Sequence, residues 1–208
     1  MFPALYAILD PSLTSNMVEF ARTLADAGVR MVQIRDKRGS ARKIHEVVHN
    51  LVGLKAAGLR VIVNDRPDIA AIAGAGGVHV GQDDLPVEEA RRICPAPLWV
   101  GVSTHNLNQF REACATSADY IAVGPIFPTE TKENPDPVVG LELLRQARAL
   151  TRKPLVAIGG ITIEKAAEVF AAGADSVAVI RDLALAKDPQ ERAREYLAIA
   201  ESVRSARS

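Results

Sequence analysis

Five times along this chain, a helix end made of small residues runs through a tight turn into a β-branched stretch that closes on polar residues. The segments are ADAGVRMVQIRD (25–36), KAAGLRVIVND (55–65), AIAGAGGVHVGQ (71–82), ATSADYIAVGP (115–125) and AAGADSVAVIRD (171–182). Gly and Ala permit a left-handed helix stop and a close approach of helix to sheet. The short Val/Ile runs lack polar alternation, as strands buried on both faces require. ALYAILD (4–10), WVGVS (99–103) and PLVAIGG (154–160) share this style, giving eight strands, each followed by a helical pattern. Such alternation implies a parallel sheet with right-handed crossovers. Eight units in 208 residues predict one α/β domain spanning 1–208, a closed (β/α)8 TIM barrel. An open doubly wound sheet is the competing arrangement, but no first strand here runs into the G-x-G-x-x-G turn that often accompanies it. The third crossover, RPDIAAIAGAG, leaves room for a helix of only two or three turns.

Bulk properties narrow the class of partner. Formal net charge is zero, so nothing steers the chain toward nucleic acid or an anionic membrane. Aromatic content of 4% argues against a stacking platform for bases. Cys94 and Cys114 lack metal-type spacing and read as two idle thiols in a reducing, cytoplasmic setting. The N-terminus MFPALYAILD has neither the basic region nor the apolar length of a signal peptide, and no apolar run is long enough to span a membrane.

In a barrel the chemistry sits at the C-terminal ends of the strands, and the unusual polar residues fall there. Strand 2 ends Gln33-Ile34-Arg35-Asp36-Lys37, strand 3 Asn64-Asp65-Arg66, strand 4 His79-Val80-Gly81-Gln82-Asp83-Asp84, and strand 5 Ser103-Thr104-His105. Strand 6 runs into GPIFPTETKENPDP (124–137), and strand 7 ends Gly159-Gly160. With a side-chain period of two, Gln33, Arg35 and Lys37 share one face. An amide, a guanidinium and an ammonium aimed into one mouth suit a polyanion; the competing reading pairs Arg35 and Lys37 with Asp36 and Glu46 at the surface. Asp65 and Asp84 end neighbouring strands beside those cations. That arrangement suits Mg²⁺ held through oxygen ligands and substrate phosphates. A general acid/base pair or helix capping are the alternatives, and Asp83 competes with Asp84 on spacing alone. AIGGIT resembles a phosphate loop, since backbone N–H groups at Gly159 and Gly160 can approach an anion closely.

Other motifs carry blander readings. HEVVH (45–49) matches the H-E-x-x-H zinc pattern but falls on the helix after strand 2, which a barrel places in its outer ring. Thr162 is expected to cap helix 7, His79 to fill a barrel layer and His105 to start helix 5. Ser103 lacks the surroundings of a nucleophile and reads as a hydroxyl that hydrogen-bonds a ligand.

Taken together, QIRDK, VNDRPDIA, GVHVGQDDLP, VGVSTHN, ADYIAVGPIFPTETK and AIGGIT, in this order and spacing, resemble the thiamine phosphate synthase (thiamine-phosphate pyrophosphorylase) family over nearly the whole chain. The resemblance implies a barrel transferase. It would join 4-amino-5-hydroxymethyl-2-methylpyrimidine diphosphate to 4-methyl-5-(2-phosphooxyethyl)thiazole, releasing thiamine phosphate and pyrophosphate. It also implies a pyrimidine diphosphate site at Gln33, Arg35, Lys37, Asn64, Ser103 and Lys132, with Arg35, Lys37, Ser103 and Lys132 catalytic. Mg²⁺ ligands would be Asp65 and Asp84. The thiazole phosphate site would be Thr129, Thr131, Gly160, Ile180 and Arg181. The family often has serine where Arg181 stands, and TPTK where this chain reads TETK, which leaves Glu130 expected to point outward. A thiazole tautomerase on the same barrel is the alternative activity; it would not need Asp65, Asp84 and the Arg35/Lys37 cluster together. If Lys132 stabilises the leaving diphosphate, Lys132→Ala lowers turnover by roughly 10²-fold or more in a steady-state assay; near wild-type turnover removes it from the mechanism.

Overall fold

A computed structural model of the chain describes residues 2–53, 58–129 and 136–206. Eight strands run in chain order: β1 (Leu5–Leu9), β2 (Met31–Ile34), β3 (Arg60–Asn64), β4 (Gly77–Val80), β5 (Trp99–Thr104), β6 (Tyr120–Val123), β7 (Leu155–Ile158) and β8 (Ser176–Val179). Each pairs in parallel with the next, and β1 pairs with β8 as well as β2, so the sheet closes into a barrel. Closure excludes the open doubly wound arrangement.

Helices fill the crossovers: α1 (Met17–Asp26), α2 (Ala41–Val52), α3 (Pro67–Ile72), α4 (Val87–Ile93), α5 (Leu107–Ala115), α6 (Gly140–Leu150) and α7 (Ile163–Ala171). After β8 come the short α8 (Arg181–Ala184) and the longer α9 (Pro189–Ser205). Several starts are capped from the preceding side chain. Asn16, Ser40, Asn106 and Asp188 each accept a hydrogen bond from a backbone N–H of the first turn, which has no partner within the helix. The third crossover helix is shorter than its sequence suggested. Pro67 starts α3 and the chain leaves it after six residues, fewer than two turns, with Gly74 just beyond in the left-handed region at φ +70°. On α2 the face formed by Ile44, Val48 and Leu51 is buried; His45 is half-buried, His49 is exposed, and their rings stack with centroids 5.9 Å apart. HEVVH therefore lies on the outer ring, away from the barrel mouth.

Two apolar cores result. The larger lies between strands and helices and takes the outward strand residues, such as Leu5, Val32, Val61 and Val100, together with Leu24, Phe110 and Phe170 from the helices. The smaller fills the bore with Tyr6, Ile8, Met31, Ile62, Tyr120, Ala122, Val156 and Ala178. Trp99 closes the bottom, with Phe2 stacked on it at 5.2 Å and the Arg60 guanidinium 3.7 Å above its ring. Space inside is tight. A Cβ on Gly101 would fall within the Tyr120 ring, so Gly101 is what lets a tyrosine lie across the bore. Gly101→Ala should cost about 1–3 kcal/mol of stability through overpacking, read from the urea midpoint; an unchanged midpoint would show that the ring can move aside.

Candidate active site

The C-terminal ends of the strands surround a cleft of about 1010 Å³. It is lined by Gln33, Arg35, Lys37, Asn64, Asp65, Asp84, Ser103, Thr129, Gly160, Ile180 and Arg181. Thus eleven residues singled out from scattered segments meet in one cavity. Thr131, Lys132 and Glu130 lie outside the described residues.

The cations come from the end of β2. Arg35 continues the ladder through its N–H to the Leu9 carbonyl, which brings its side chain beside Asp10 at the end of β1. Its Nη1 stands 2.5 Å from Asp10 Oδ2. Burial opposes ionisation of Asp10, but the Ser12 hydroxyl and N–H and the Arg35 guanidinium together hold the carboxyl below its usual range. Lys37 Nζ lies 3.6 Å from Asp65 Oδ2. Both cations line the cleft while paired with carboxylates, though with Asp10 and Asp65 rather than Asp36 and Glu46.

Asp65 follows β3 with φ +58°, the only non-glycine with positive φ among the described residues. Aspartate tolerates this conformation better than most side chains. The turn is pinned by the Asp65 N–H to the His79 carbonyl at 2.8 Å and by Asn64 Nδ2 to Asp65 Oδ2 at 2.6 Å. Asp84 is half-buried, and its Oδ2 accepts the Gly81 N–H at 2.8 Å, whereas Asp83 is exposed. Burial, and then the Asp84 carboxylate against it, push the Asp65 pKa up to about 6. Two facing carboxylates served by one ammonium lack positive charge, and the donor set is entirely hard oxygen. Among the described residues no third His, Cys, Asp or Glu completes a cluster. The pair therefore fits a hard divalent cation.

A line of hydrogen bonds crosses the bore beneath these charges. Gln33 Nε2 donates to Tyr6 Oη at 2.6 Å, and the two tyrosine hydroxyls meet at 3.1 Å. Tyr120 Oη lies 3.0 Å from His79 Nδ1, and His79 Nε2 lies 2.8 Å from Ser103 Oγ. Burial holds the His79 pKa down at about 4, so its ring is neutral at ordinary pH. His79 thus fills a barrel layer, as expected, and also holds Ser103. His105 precedes the Asn106 cap of α5 instead of opening the helix, and its Nδ1 lies 2.6 Å from the Gly124 carbonyl oxygen.

On the far side, Gly159 and Gly160 have φ +99° and +62°. Their first constraint is packing. A Cβ on Gly159 would strike Pro125, and one on Gly160 would strike the Pro128 carbonyl and the Phe127 side chain. The Ile126 and Phe127 N–H groups bond to the carbonyls of Ile158 and Gly159 at 2.9 and 3.0 Å. The loop after β6 is thereby laced onto the end of β7, which sets Thr129 at the cleft. Thr162 occupies the N-cap position of α7 without a side-chain capping bond to the helix backbone. Arg181 opens α8 at the cleft wall, and the Asp182 carboxylate beside it is taken by Arg192 at 3.1 Å and by the Tyr196 hydroxyl at 2.8 Å.

Sequence reasoning passed over Asp10, Tyr6 and Tyr120. The parallel register Ile8↔Gln33 and Leu9↔Ile34 carries on to set Asp10 beside Arg35, a signal visible once strand 1 is aligned with strand 2. One consequence concerns Asp65. Its raised pKa means the folded, metal-free protein binds this proton more tightly than the unfolded chain, where a carboxyl titrates near about 3.9. Its ionisation therefore weakens the fold as pH rises through about 6, and the penalty is gone below about 4. In chelator at pH 7.5, Asp65→Asn should raise the unfolding free energy by about 1–3 kcal/mol, with the gain vanishing near pH 4; equal stability across that range would show that the ionised pair costs nothing.

Comparison with known proteins agrees with this geometry. The sequence profile described as thiamine monophosphate synthase matches residues 5–183. A thiamine-phosphate synthase of Koribacter versatilis is 50% identical over 207 residues, covering 96% of this chain and 97% of its own. One from Methanospirillum hungatei is 38% identical over 195 residues, covering 92% and 95%. Among solved structures, a thiamine phosphate pyrophosphorylase from Pyrococcus furiosus superposes with a TM-score of 0.89 at 35% identity, over 96% of each chain. With a family profile over most of its length and relatives this similar end to end, the chain belongs to the thiamine monophosphate synthase family.

Proposed function

We propose that the cleft condenses 4-amino-5-hydroxymethyl-2-methylpyrimidine diphosphate with 4-methyl-5-(2-phosphooxyethyl)thiazole to give thiamine phosphate and pyrophosphate. The observation that carries this reading is the gathering, in one cleft, of Arg35 and Lys37 with the facing carboxylates Asp65 and Asp84. A diphosphate needs cations and a metal together; a tautomerase acting on the thiazole phosphate alone would not need both pairs together. The enzyme is a transferase acting on small molecules. Among the described residues no helix is long and apolar enough to cross a membrane.

Asp65 and Asp84 would hold Mg²⁺, which supplies charge neutralisation to the diphosphate oxygens when bound. Arg35, steadied by Asp10, presents a planar fork to the same oxygens, and Lys37 adds a mobile point charge. Gln33 and Asn64 face the pyrimidine end, and the Ser103 hydroxyl reaches the diphosphate. Thr129, Gly160, Ile180 and Arg181 face the thiazole phosphate, with Arg181 adding a guanidinium where relatives often carry serine. Lys132 and Thr131 belong to the same sites by family resemblance.

Loss of the leaving group breaks the bond between the pyrimidine methylene carbon and its oxygen, and the electron pair departs with pyrophosphate. Negative charge grows there, so Arg35 and Lys37 stabilise the transition state more than the ground state. The electron-rich aminopyrimidine disperses the positive charge left on carbon. The thiazole nitrogen then donates its lone pair to that carbon and becomes the thiazolium nitrogen. No enzyme nucleophile is required, and the Ser103 hydroxyl, 2.8 Å from His79 Nε2, serves as a hydrogen-bonding group.

A coupled pyrophosphate-release assay with Mg²⁺, run with and without the thiazole phosphate, tests the reading. Thiazole-dependent release with thiamine phosphate formed in equal amount is expected. Absence of release with both substrates present would overturn it and favour the tautomerase.

A further inference from the structure

The side chains crossing the bore form one unbranched line through five strands: Gln33 on β2, Tyr6 on β1, Tyr120 on β6, His79 on β4 and Ser103 on β5. The middle members Tyr6, Tyr120 and His79 are 1%, 0% and 7% exposed, so their hydrogens have no bulk water to turn to. Each tyrosine hydroxyl carries one hydrogen, and the neutral imidazole carries one N–H. A fully bonded line then has only two hydrogen arrangements: every hydrogen points from Gln33 toward Ser103, or every one points back. Reversal partway would either set two lone pairs against each other or make one hydroxyl accept from both sides and strand its own hydrogen in a buried site, and such a group is costly to leave unpaired.

In the structure Gln33 donates to Tyr6, which matches the first arrangement. In that arrangement Tyr6 would donate to Tyr120, Tyr120 to His79 Nδ1, and His79 Nε2–H to Ser103. The Ser103 hydrogen is left for the cleft, and so is the acceptor end of the Gln33 amide. An acceptor at one end and a donor at the other match a ligand with an amine at one end and an anionic oxygen at the other. The opposite arrangement would mismatch both ends at once.

We propose that these five residues act as a hydrogen-order relay, in which the group bound by Gln33 decides whether Ser103, across the barrel, donates or accepts. A ligand amine bonded to the Gln33 amide oxygen keeps Nε2 on Tyr6 and thereby keeps Ser103 a donor toward the diphosphate. Tyr6, Tyr120 and His79 are positioning residues: they select the rotor state of Ser103. The identity of the ligand rests on the synthase reading, whereas the hydrogen order does not.

The imidazole tautomer reports the direction of the relay without any ligand, and the chain has only four histidines to resolve by ¹⁵N NMR. Wild-type His79 is expected as the Nε2–H tautomer. In Gln33→Glu, at a pH where the new carboxyl is ionised, residue 33 can only accept, so His79 is expected to switch to Nδ1–H. Adding Tyr120→Phe should cut the relay, after which the tautomer no longer follows residue 33. The same tautomer in wild type and Gln33→Glu would overturn the proposal. If thermal melts show Gln33→Glu unfolded, Tyr6→Phe takes its place. Loss of the incoming donor should then yield both tautomers, and a retained single Nε2–H form would overturn the relay. Switching in a protein that releases no pyrophosphate would remove the synthase reading and leave the relay standing.

Discussion

A parallel sheet leaves hydrogen-bonding groups bare along its two outer strands, and here those edges satisfy each other through the β1–β8 pairing. Everything at the mouth depends on that closure. Once the register is locked around the ring, inward and outward side chains alternate without freedom to slip. The bore of an eight-stranded barrel is only wide enough for side chains, so each inward position must suit its neighbours on other strands. Gly101 leaves the space that Tyr120 fills, and Ala178 stands beside Tyr6 in the β1–β8 register. Polar groups one or two residues above that packed layer are thereby held at fixed separations, although they come from distant parts of the chain.

The two cations that follow β2 are tethered differently. Arg35 and Asp10 side chains are 16% and 11% exposed and in direct contact, whereas Lys37 is 56% exposed and stands farther from Asp65. The first pair is partly desolvated and geometrically tight; the second is loose and screened by water. Arg35 is thus preset, while Lys37 can exchange a carboxylate for a phosphate with little rearrangement. A cation arriving between Asp65 and Asp84 would displace Lys37 from its resting partner and release it toward the same ligand. Metal and lysine would in this sense be successive occupants of one negative site.

Much of the architecture could be read directly from the chain. The eight strands declared themselves because β-branched runs and small-residue turns recur with one spacing, and the polar residues at strand ends fell into one cleft as expected. Spacing could not say which of Asp83 and Asp84 turns inward; Asp84 is half-buried and accepts the Gly81 N–H, while Asp83 is exposed. The hidden part was what pairs across strands. Asp10 looks like an ordinary strand end until parallel register sets it beside Arg35. Tyr6 and Tyr120 look like core aromatics until their hydroxyls are seen to meet at the barrel axis. Local pattern reports which way a side chain faces, while long-range register reports whom it faces. The length of α3 was misjudged for the opposite reason, since local turn chemistry at Pro67 and Gly74 overrode a run of helix-forming alanines.

The lacing of residues 125–128 onto Gly159 and Gly160 bears on how such barrels can be recombined. The two segments share backbone hydrogen bonds and leave no room for a side chain between them, so they are one mechanical part split over two β/α units. A chimera cut between β6 and β7 would join a loop from one parent to a glycine pair from another, and any residue larger than glycine at that seam would lift the loop from the barrel. Cuts elsewhere leave the part whole. Whatever this part of the mouth binds, its exchange between relatives is therefore expected to travel as a block running from the end of β6 through the start of α7.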